Sequence, residues 1–180
     1  MSKHTLSVLV ENKPGVLARI AALFSRRGYN IDSLAVGPTE HSDVSRMTIV
    51  VDAEGIPLEQ VTKQLNKLVE VLKIVELEPG FSVQQQLLLA KVTTTHDNRR
   101  QVLDVVDLFG AKVIDVWPEA VTIRVLGNAD KLADFLRVIE PFGVRELVQS
   151  GVVGIGRGAR SISERSLRPV VVPAPPAAVS

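Results

Sequence analysis

Apolar residues along this chain follow two spacings, one of two residues and one of three to four residues. Alternation with a period of two predicts strands at Leu6, Val8, Val10 and at Met47, Ile49, Val51. Helical spacing predicts two amphipathic helices, with inner faces at Leu17, Ile20, Ala21, Phe24 and at Val61, Leu65, Leu68, Leu72. Gly28 is expected to end the first helix. Residues 29–36 and 74–77 complete this half as strands.

The second half of the chain repeats the same order of elements. Strands are predicted at residues 87–95, 112–116, 121–125 and 144–148. The two helices have predicted inner faces at Val102, Val105, Val106, Phe109 and at Leu132, Phe135, Leu136, Ile139. Asp97 or Asn98 is the candidate cap of the first helix, and Asn128 or Asp130 that of the second.

Two consecutive βαββαβ units result, so the predicted fold is α+β with two ferredoxin-like units. Their expected bounds are residues 1–80 and 81–160, followed by a proline-rich tail, 161–180, predicted to be disordered. Leu9 and Val50 indicate that the sheet face away from the helices is partly apolar in the first unit. Covering that face requires another chain or the second half, and we take both routes to favour an oligomer.

The turn from the first strand into the first helix, Asn12 to Leu17, is the candidate site. Backbone N–H groups are free at a helix N-terminus, and such a place suits a small carboxylate. A purely structural interpretation is also open, in which Asn12 caps the helix, Pro14 presets its first turn and Gly15 relieves crowding. Asn30 begins the next strand, and in a side-by-side dimer it can approach the same ligand from the second chain.

Other chemistry finds little support in the sequence. Cysteine is absent, and the three histidines, His4, His41 and His96, are far apart and not in a metal-binding spacing. No nucleophile, base and orienting group stand together as catalysis requires. Gly151–Gly158 is glycine-rich but lacks the Lys-Ser/Thr of a phosphate loop, so it is either a flexible ending or a protein-contact segment.

Nucleic acid and membrane are not expected partners. The net charge is only +1, and the predicted third strands, 46–50 and 121–125, carry no aromatic residue for base stacking. No apolar run approaches the roughly 18 residues of a membrane span, and the one at Leu6–Val10 is too short for a signal peptide. We therefore expect a cytoplasmic protein.

Residues 6–20 resemble the opening of an ACT domain. Residues 25–34, 45–49 and 64–68 narrow the resemblance to the regulatory small subunits of acetolactate synthase, and 114–116 and 150–154 are similar to the C-terminal domain of that family. The resemblance spans about residues 3 to 158. It implies a first unit that is an ACT domain, and a non-catalytic protein that activates a catalytic large subunit and confers feedback inhibition by valine in branched-chain amino acid biosynthesis.

The resemblance also implies where the effector binds. In the family it lies between two ACT domains of a homodimer, which carries over to the positions Asn12, Gly15, Val16, Leu17, Asn30 and Ile31. Valine is the expected effector, with leucine and isoleucine as alternatives. Thiamine diphosphate, Mg²⁺ and FAD belong to the catalytic chain, so no cofactor is expected in this one. The competing hypotheses are a stand-alone ACT-type amino acid sensor, which regulates another enzyme or a transcriptional response, and a small enzyme on a ferredoxin-like fold.

Overall fold

The computed structural model describes residues 3–52, 57–159 and 161–162. The described residues divide into two compact units, residues 3–52, 57–83, 152–159 and 161–162 in the first and residues 84–151 in the second. Apart from residues 161 and 162, the tail predicted at 161–180 lies outside the described residues. Both units have antiparallel sheets with helices, which confirms the α+β fold of two ferredoxin-like units.

The first unit follows the predicted βαββαβ order. Its elements are β1 (Lys3–Glu11), α1 (Val16–Arg27), β2 (Asn30–Pro38), β3 (Val44–Asp52), α2 (Leu58–Leu65) and β4 (Val71–Glu76). The strands form one sheet in the order β2-β3-β1-β4, so β2 and β4 are its edges. Alternate residues of β1 and β3, among them Leu6, Val8 and Met47, pack with both helices into one apolar core. This burial on one face is what the period of two predicts.

The predicted inner face of α1 is confirmed at Ile20 and Phe24 and wrong at Leu17 and Ala21, because the other buried residues are Val16 and Leu23. Leu17 is 45% exposed. One residue corresponds to about 100° around a helix, so Leu17 is turned outward from the core position that Val16 occupies. Gly28, in the left-handed conformation at φ 69°, ends the helix as predicted.

The second helix is shorter than predicted. It ends at Leu65, and Leu72 lies in β4 and not on the helix. The chain then turns directly into β4 through two hydrogen bonds of the tighter i→i+3 kind. The Leu68 N–H donates to the Leu65 carbonyl, and the Val71 N–H donates to the Leu68 carbonyl. Leu68 still packs, partly buried, against the core.

The second unit repeats the architecture with β5 (Ser82–Thr93), α3 (Arg99–Leu108), β6 (Lys112–Trp117), β7 (Ala120–Gly127), α4 (Ala129–Ile139), a 3₁₀ turn (Glu140–Phe142) and β8 (Val144–Gln149). The sheet order is β6-β7-β5-β8. All eight predicted inner-face residues of the two helices belong to its core or pack against it. Asn128 caps α4 as predicted, because its side-chain oxygen accepts from the Lys131 N–H at 3.0 Å.

The glycine-rich segment after the second unit contains a further strand, β9 (Val153–Gly156), which pairs with β5. The prediction of a flexible ending is therefore wrong for these residues. Residues 152–159 also group with the first unit and not with the second.

Two residues on the outer face of the first sheet are buried, since Leu9 is 5% and Val50 is 8% exposed. The homodimer stays a prediction. Within the described residues, no helix combines the length and hydrophobicity needed to cross a bilayer.

Candidate functional site

The β1–α1 turn is held open by its glycine and not closed by a side-chain cap. Gly15 occupies the N-cap position with φ 85°, in the left-handed region that favours glycine, and no side chain accepts from the helix N-terminus. The predicted cap, Asn12, is therefore wrong. Its side-chain amide donates to the Ser42 carbonyl at 3.1 Å, and its N–H donates to the Asp43 carbonyl at 2.7 Å. Pro14 precedes the cap and lies outside the first turn of the helix.

The N-terminus of α1 retains unused donors. Within the described part of the chain, the N–H groups of Gly15, Leu17 and Ala18 have no acceptor, and that of Val16 reaches the Lys13 carbonyl only at 3.5 Å. Gly15 and Leu17 are exposed, so solvent reaches this turn. Free N–H groups at the positive end of a helix dipole form a site suited to an anion such as a carboxylate.

An arginine that the sequence interpretation missed lies beside this turn. A Cβ built on Gly15 would be 3.5 Å from Nη2 of Arg19, so the guanidinium lies against the glycine. Nη1 of Arg19 pairs with Glu70 at 2.6 Å, which holds the side chain in place. The available signal was the i, i+4 spacing of Gly15 and Arg19, which puts both on one helix face.

Lysine adds a second positive charge at the turn. Lys13 pairs with Glu11 at 2.8 Å, and this hydrogen-bonded carboxylate raises the pKa of Lys13 above its ordinary value. Both cations at the turn, Lys13 and Arg19, are thus paired with carboxylates. Glu70 is tied in as well, because its carbonyl accepts from the Glu11 N–H at 2.9 Å.

Asn30 and Ile31 lie at the other end of the sheet from Asn12. In the register, Asn30 is opposite Asp52, and Asp52 is opposite Lys3 at the start of β1, whereas Asn12 follows the end of β1. The nine residues of β1 span roughly 26 Å at about 3.3 Å per step. One copy of the chain therefore does not bring Asn12 and Asn30 to the same small ligand.

The remaining predicted residues differ in what they expose. Val16 is 4% exposed, and its side chain belongs to the core, so only its backbone faces the turn. Leu17 offers an exposed apolar side chain beside the free N–H groups. Ile31 is half-buried against the core. Asn30 is exposed, and its amide donates to Asp32 at 2.6 Å.

No metal centre is evident in residues 3–52, 57–159 and 161–162. No group of three or more histidine, aspartate or glutamate side chains converges there in a way that could hold an ion.

Comparison with known proteins adds independent evidence. Residues 6–73 match the family model of the AHAS small subunit-like ACT domain, and residues 85–158 match that of the small subunit of acetolactate synthase. The acetolactate synthase small subunit of Mycobacterium bovis is 62% identical over 159 residues, which cover 88% of this chain and 95% of that protein. The chain belongs to the acetolactate synthase small-subunit family.

More distant family members agree over the same length. A probable acetolactate synthase small subunit of Archaeoglobus fulgidus is 46% identical over 156 residues, covering 87% of this chain and 98% of its own. The crystal structure of the acetolactate synthase small subunit of Thermotoga maritima superposes with a TM-score of 0.81 at 34% identity, over 89% of this chain and all of that one. The first unit is thus an ACT domain, and membership in this family supports a regulatory, non-catalytic role.

Proposed function

We propose that this chain activates the catalytic large subunit of acetolactate synthase and confers feedback inhibition by valine in branched-chain amino acid biosynthesis. The observation that carries the proposal is the open β1–α1 turn, with a left-handed glycine, unused N–H groups and an adjacent arginine. These features suit the carboxylate of a free amino acid. The family resemblance supplies the identity of the effector and of the enzyme.

In the proposed site, the effector carboxylate binds the N–H groups that follow Gly15. Asn12 and Asn30 offer amide oxygens for the ammonium group and amide donors for the carboxylate. Leu17 and Ile31 provide apolar contact for the isopropyl group, and burying it contributes roughly 1.5–3 kcal/mol. A single methylene changes binding by only about 1–3 kcal/mol, so leucine and isoleucine remain competing effectors.

A homodimer through the edge strand β2 completes this site. Pro38, at the end of β2, is opposite Ser45, and Val44 is opposite Glu11, so β2 ends on the side of the sheet that carries Asn12. Antiparallel pairing of two β2 strands about a two-fold axis brings Asn30 of one chain to that side of the other. The dimer then has two equivalent sites, each built by two chains.

Inhibition follows from a preference of the effector for one arrangement of the dimer. Binding stabilises that arrangement, and the catalytic subunit is active with the other. The coupling free energy is then typically about 1–3 kcal/mol. Thiamine diphosphate, Mg²⁺ and FAD are assigned to the catalytic partner, and this chain contributes only regulation.

Reconstitution of the full chain with its cognate catalytic subunit tests the proposal. We expect co-purification, a rise in the rate of acetolactate formation and inhibition by added valine. A chain that does not alter the rate, or a complex insensitive to valine, leucine and isoleucine, contradicts the proposal.

Substitution of Gly15 tests the effector site within that assay. We expect Gly15→Asp to abolish inhibition by valine and to keep activation, because its carboxylate repels that of the effector. Gly15→Asn is the matched control, since Asn has nearly the same shape and both residues tolerate positive φ better than most. Equal loss of inhibition in both variants would attribute the effect to the backbone and count against the carboxylate site.

A further inference from the structure

The glycine-rich segment at residues 151–158 is fastened to the strand that carries the candidate effector residues. The N–H of Val152 donates to the side-chain oxygen of Ser33 at 2.8 Å, between groups 119 positions apart in sequence. Both residues are half-buried. Val152 directly follows Gly151, the last residue of the second unit. This hydrogen bond therefore links β2 to the start of the glycine-rich segment.

Ser33 has a specific position on β2. The register of β2 against β3 shifts between Ile31 and Ser33, so Ser33 is the first residue after a bulge. On the other side of the bulge are Asn30 and Ile31. Asp32 lies between Ile31 and Ser33. Its side chain accepts a hydrogen bond from the Asn30 amide at 2.6 Å and forms an ion pair with Lys3 at 2.7 Å. The bulge therefore lies between Ser33 and the candidate effector residues Asn30 and Ile31.

A second attachment fixes the far end of the segment. The N–H of Arg157 donates to the Phe81 carbonyl at 2.8 Å. Between the two attachments lies β9, which pairs with β5, and β5 continues along the chain into the second unit. The segment thus has a side-chain bond to β2 at one end and backbone bonds to β5 and its lead-in at the other.

We propose that Ser33 is a positioning residue through which effector binding is communicated to the glycine-rich segment at residues 151–158. The inference rests on the proposed function, because it concerns the regulation of the same site. Effector contacts with Asn30 and Ile31 adjust the bulge, Ser33 moves with it, and the bond to Val152 carries the change to β9. Ser33 does not touch the effector in this account. Loss of its hydroxyl therefore weakens inhibition while leaving effector binding in place.

Three variants of the full chain, each reconstituted with the cognate catalytic subunit, test this inference. Ser33→Ala removes the acceptor, Ser33→Thr keeps a hydroxyl on a residue suited to strands, and Ser33→Cys keeps the volume with a weaker acceptor. Two quantities are measured for each variant, the dissociation constant of valine by calorimetry and the residual activity at saturating valine.

For Ser33→Ala we expect a dissociation constant of valine within about threefold of the wild-type value. The coupling between valine binding and inhibition should fall by about 2- to 10-fold, which is the effect of losing one hydrogen bond. Ser33→Thr should restore inhibition, and Ser33→Cys should be intermediate. Unchanged inhibition in Ser33→Ala at saturating valine overturns the inference. So does a loss of inhibition that matches the loss of affinity, because Ser33 would then act on binding.

The outcome with wild type separates this inference from the function on which it rests. If the wild-type chain neither binds nor responds to valine, leucine or isoleucine, the proposed function fails. If the wild-type chain responds and Ser33→Ala responds equally, only the role of Ser33 fails. If Ser33→Ala is unstable, Ser33→Cys is compared with Ser33→Thr. Weaker inhibition in Ser33→Cys than in Ser33→Thr supports the role of Ser33, and equal inhibition in the two overturns it.

Discussion

The two units share a fold but differ at the turn that leads from the first strand into the first helix. In the first unit, Gly15 stands at the N-cap with φ 85° and no side chain caps α1. In the second unit, Asn98 stands at the N-cap of α3, which also lacks a side-chain cap, but Thr95 and Asn98 close the corresponding turn on themselves. The Asn98 side chain accepts from the Thr95 N–H at 2.7 Å, and the Thr95 hydroxyl accepts from the Asn98 N–H at 3.3 Å.

Each unit also ties this turn to the next hairpin, but with a different side chain. Asn12 does so in the first unit by donating to Ser42. In the second unit Arg99 donates to the carbonyls of Trp117 and Pro118, at 2.8 and 2.5 Å. The arginine of the second turn is therefore engaged with backbone, whereas Arg19 of the first lies beside an open turn. The difference teaches that a left-handed glycine beside an arginine is a property of one turn and not of the fold.

The largest expected effect separates the cores of the two units. Phe135 is fully buried and packs edge-on against Phe109 at 5.5 Å. Phe135→Ala should lower the free energy of unfolding by about 3–5 kcal/mol, while calorimetry still detects valine binding at the first unit. Phe81→Ala is the control, because Phe81 is 37% exposed and should cost far less. Loss of valine binding in a Phe135→Ala chain that is still folded would show that the effector site depends on the second core.

Next in size is the contrast between the two arginines. Arg19→Met should weaken valine binding by about 10-fold or more, because a charge-assisted contact to the carboxylate is lost. Arg99→Met is the matched control; it should loosen the Trp117–Pro118 turn and leave the dissociation constant of valine unchanged. Isothermal titration of both variants measures the two effects. Similar affinities for Arg19→Met and wild type would remove Arg19 from the site.

The smallest expected effect concerns the outer face of the second sheet, where Lys91 and Glu146 form an exposed ion pair at 2.7 Å. The hydrogen bond from Lys91 lowers the pKa of Glu146 from its ordinary value of 4.5. A lowered folded-state pKa stabilises the fold above the unfolded-state value, and this contribution is lost as pH falls through the lowered pKa. Glu146→Gln should thus be slightly less stable than wild type at neutral pH and equally stable in acid.

Denaturant unfolding at about pH 7 and about pH 3 measures that difference. Glu119→Gln serves as the control, because the Glu119 side chain forms no ion pair with the described residues. If Glu146→Gln lowers the free energy of unfolding as much in acid as at neutral pH, the loss of stability does not come from this ion pair.

Much of the fold could be predicted from the sequence because burial repeats with the period of each element. The alternation at Leu6, Val8 and Val10 and the inner faces of α3 and α4 are such cases. The inner face of α1 was predicted at Ile20 and Phe24 but missed in its first turn, where Val16 and not Leu17 is buried. That turn depends on where the helix begins, and the backbone of Gly15 decides that point. No spacing rule contains the φ angle of a single glycine.

The candidate site could be predicted only in part. The turn itself is legible, since Asn, Pro and Gly between a strand and a helix mark it. The hydrogen bond of Asn12 to Ser42 crosses 30 positions and that of Ser33 to Val152 crosses 119, and local patterns do not report such partners. β9 was missed for the same reason, because a short glycine-rich strand is recognised only by its pairing with β5.

The central claim is that each effector site is built by two chains, and mixing two defective chains tests it most directly. Gly15→Asp disables the part of the site at the β1–α1 turn, and Asn30→Ala disables the part on β2. Each variant alone should therefore bind no valine. In a mixed dimer one site has both defects, and the other has an intact turn and an intact strand. Dimers re-formed from an equal mixture should therefore recover about a quarter of the wild-type sites. No recovery from a mixture in which mixed dimers are shown to form would contradict the account.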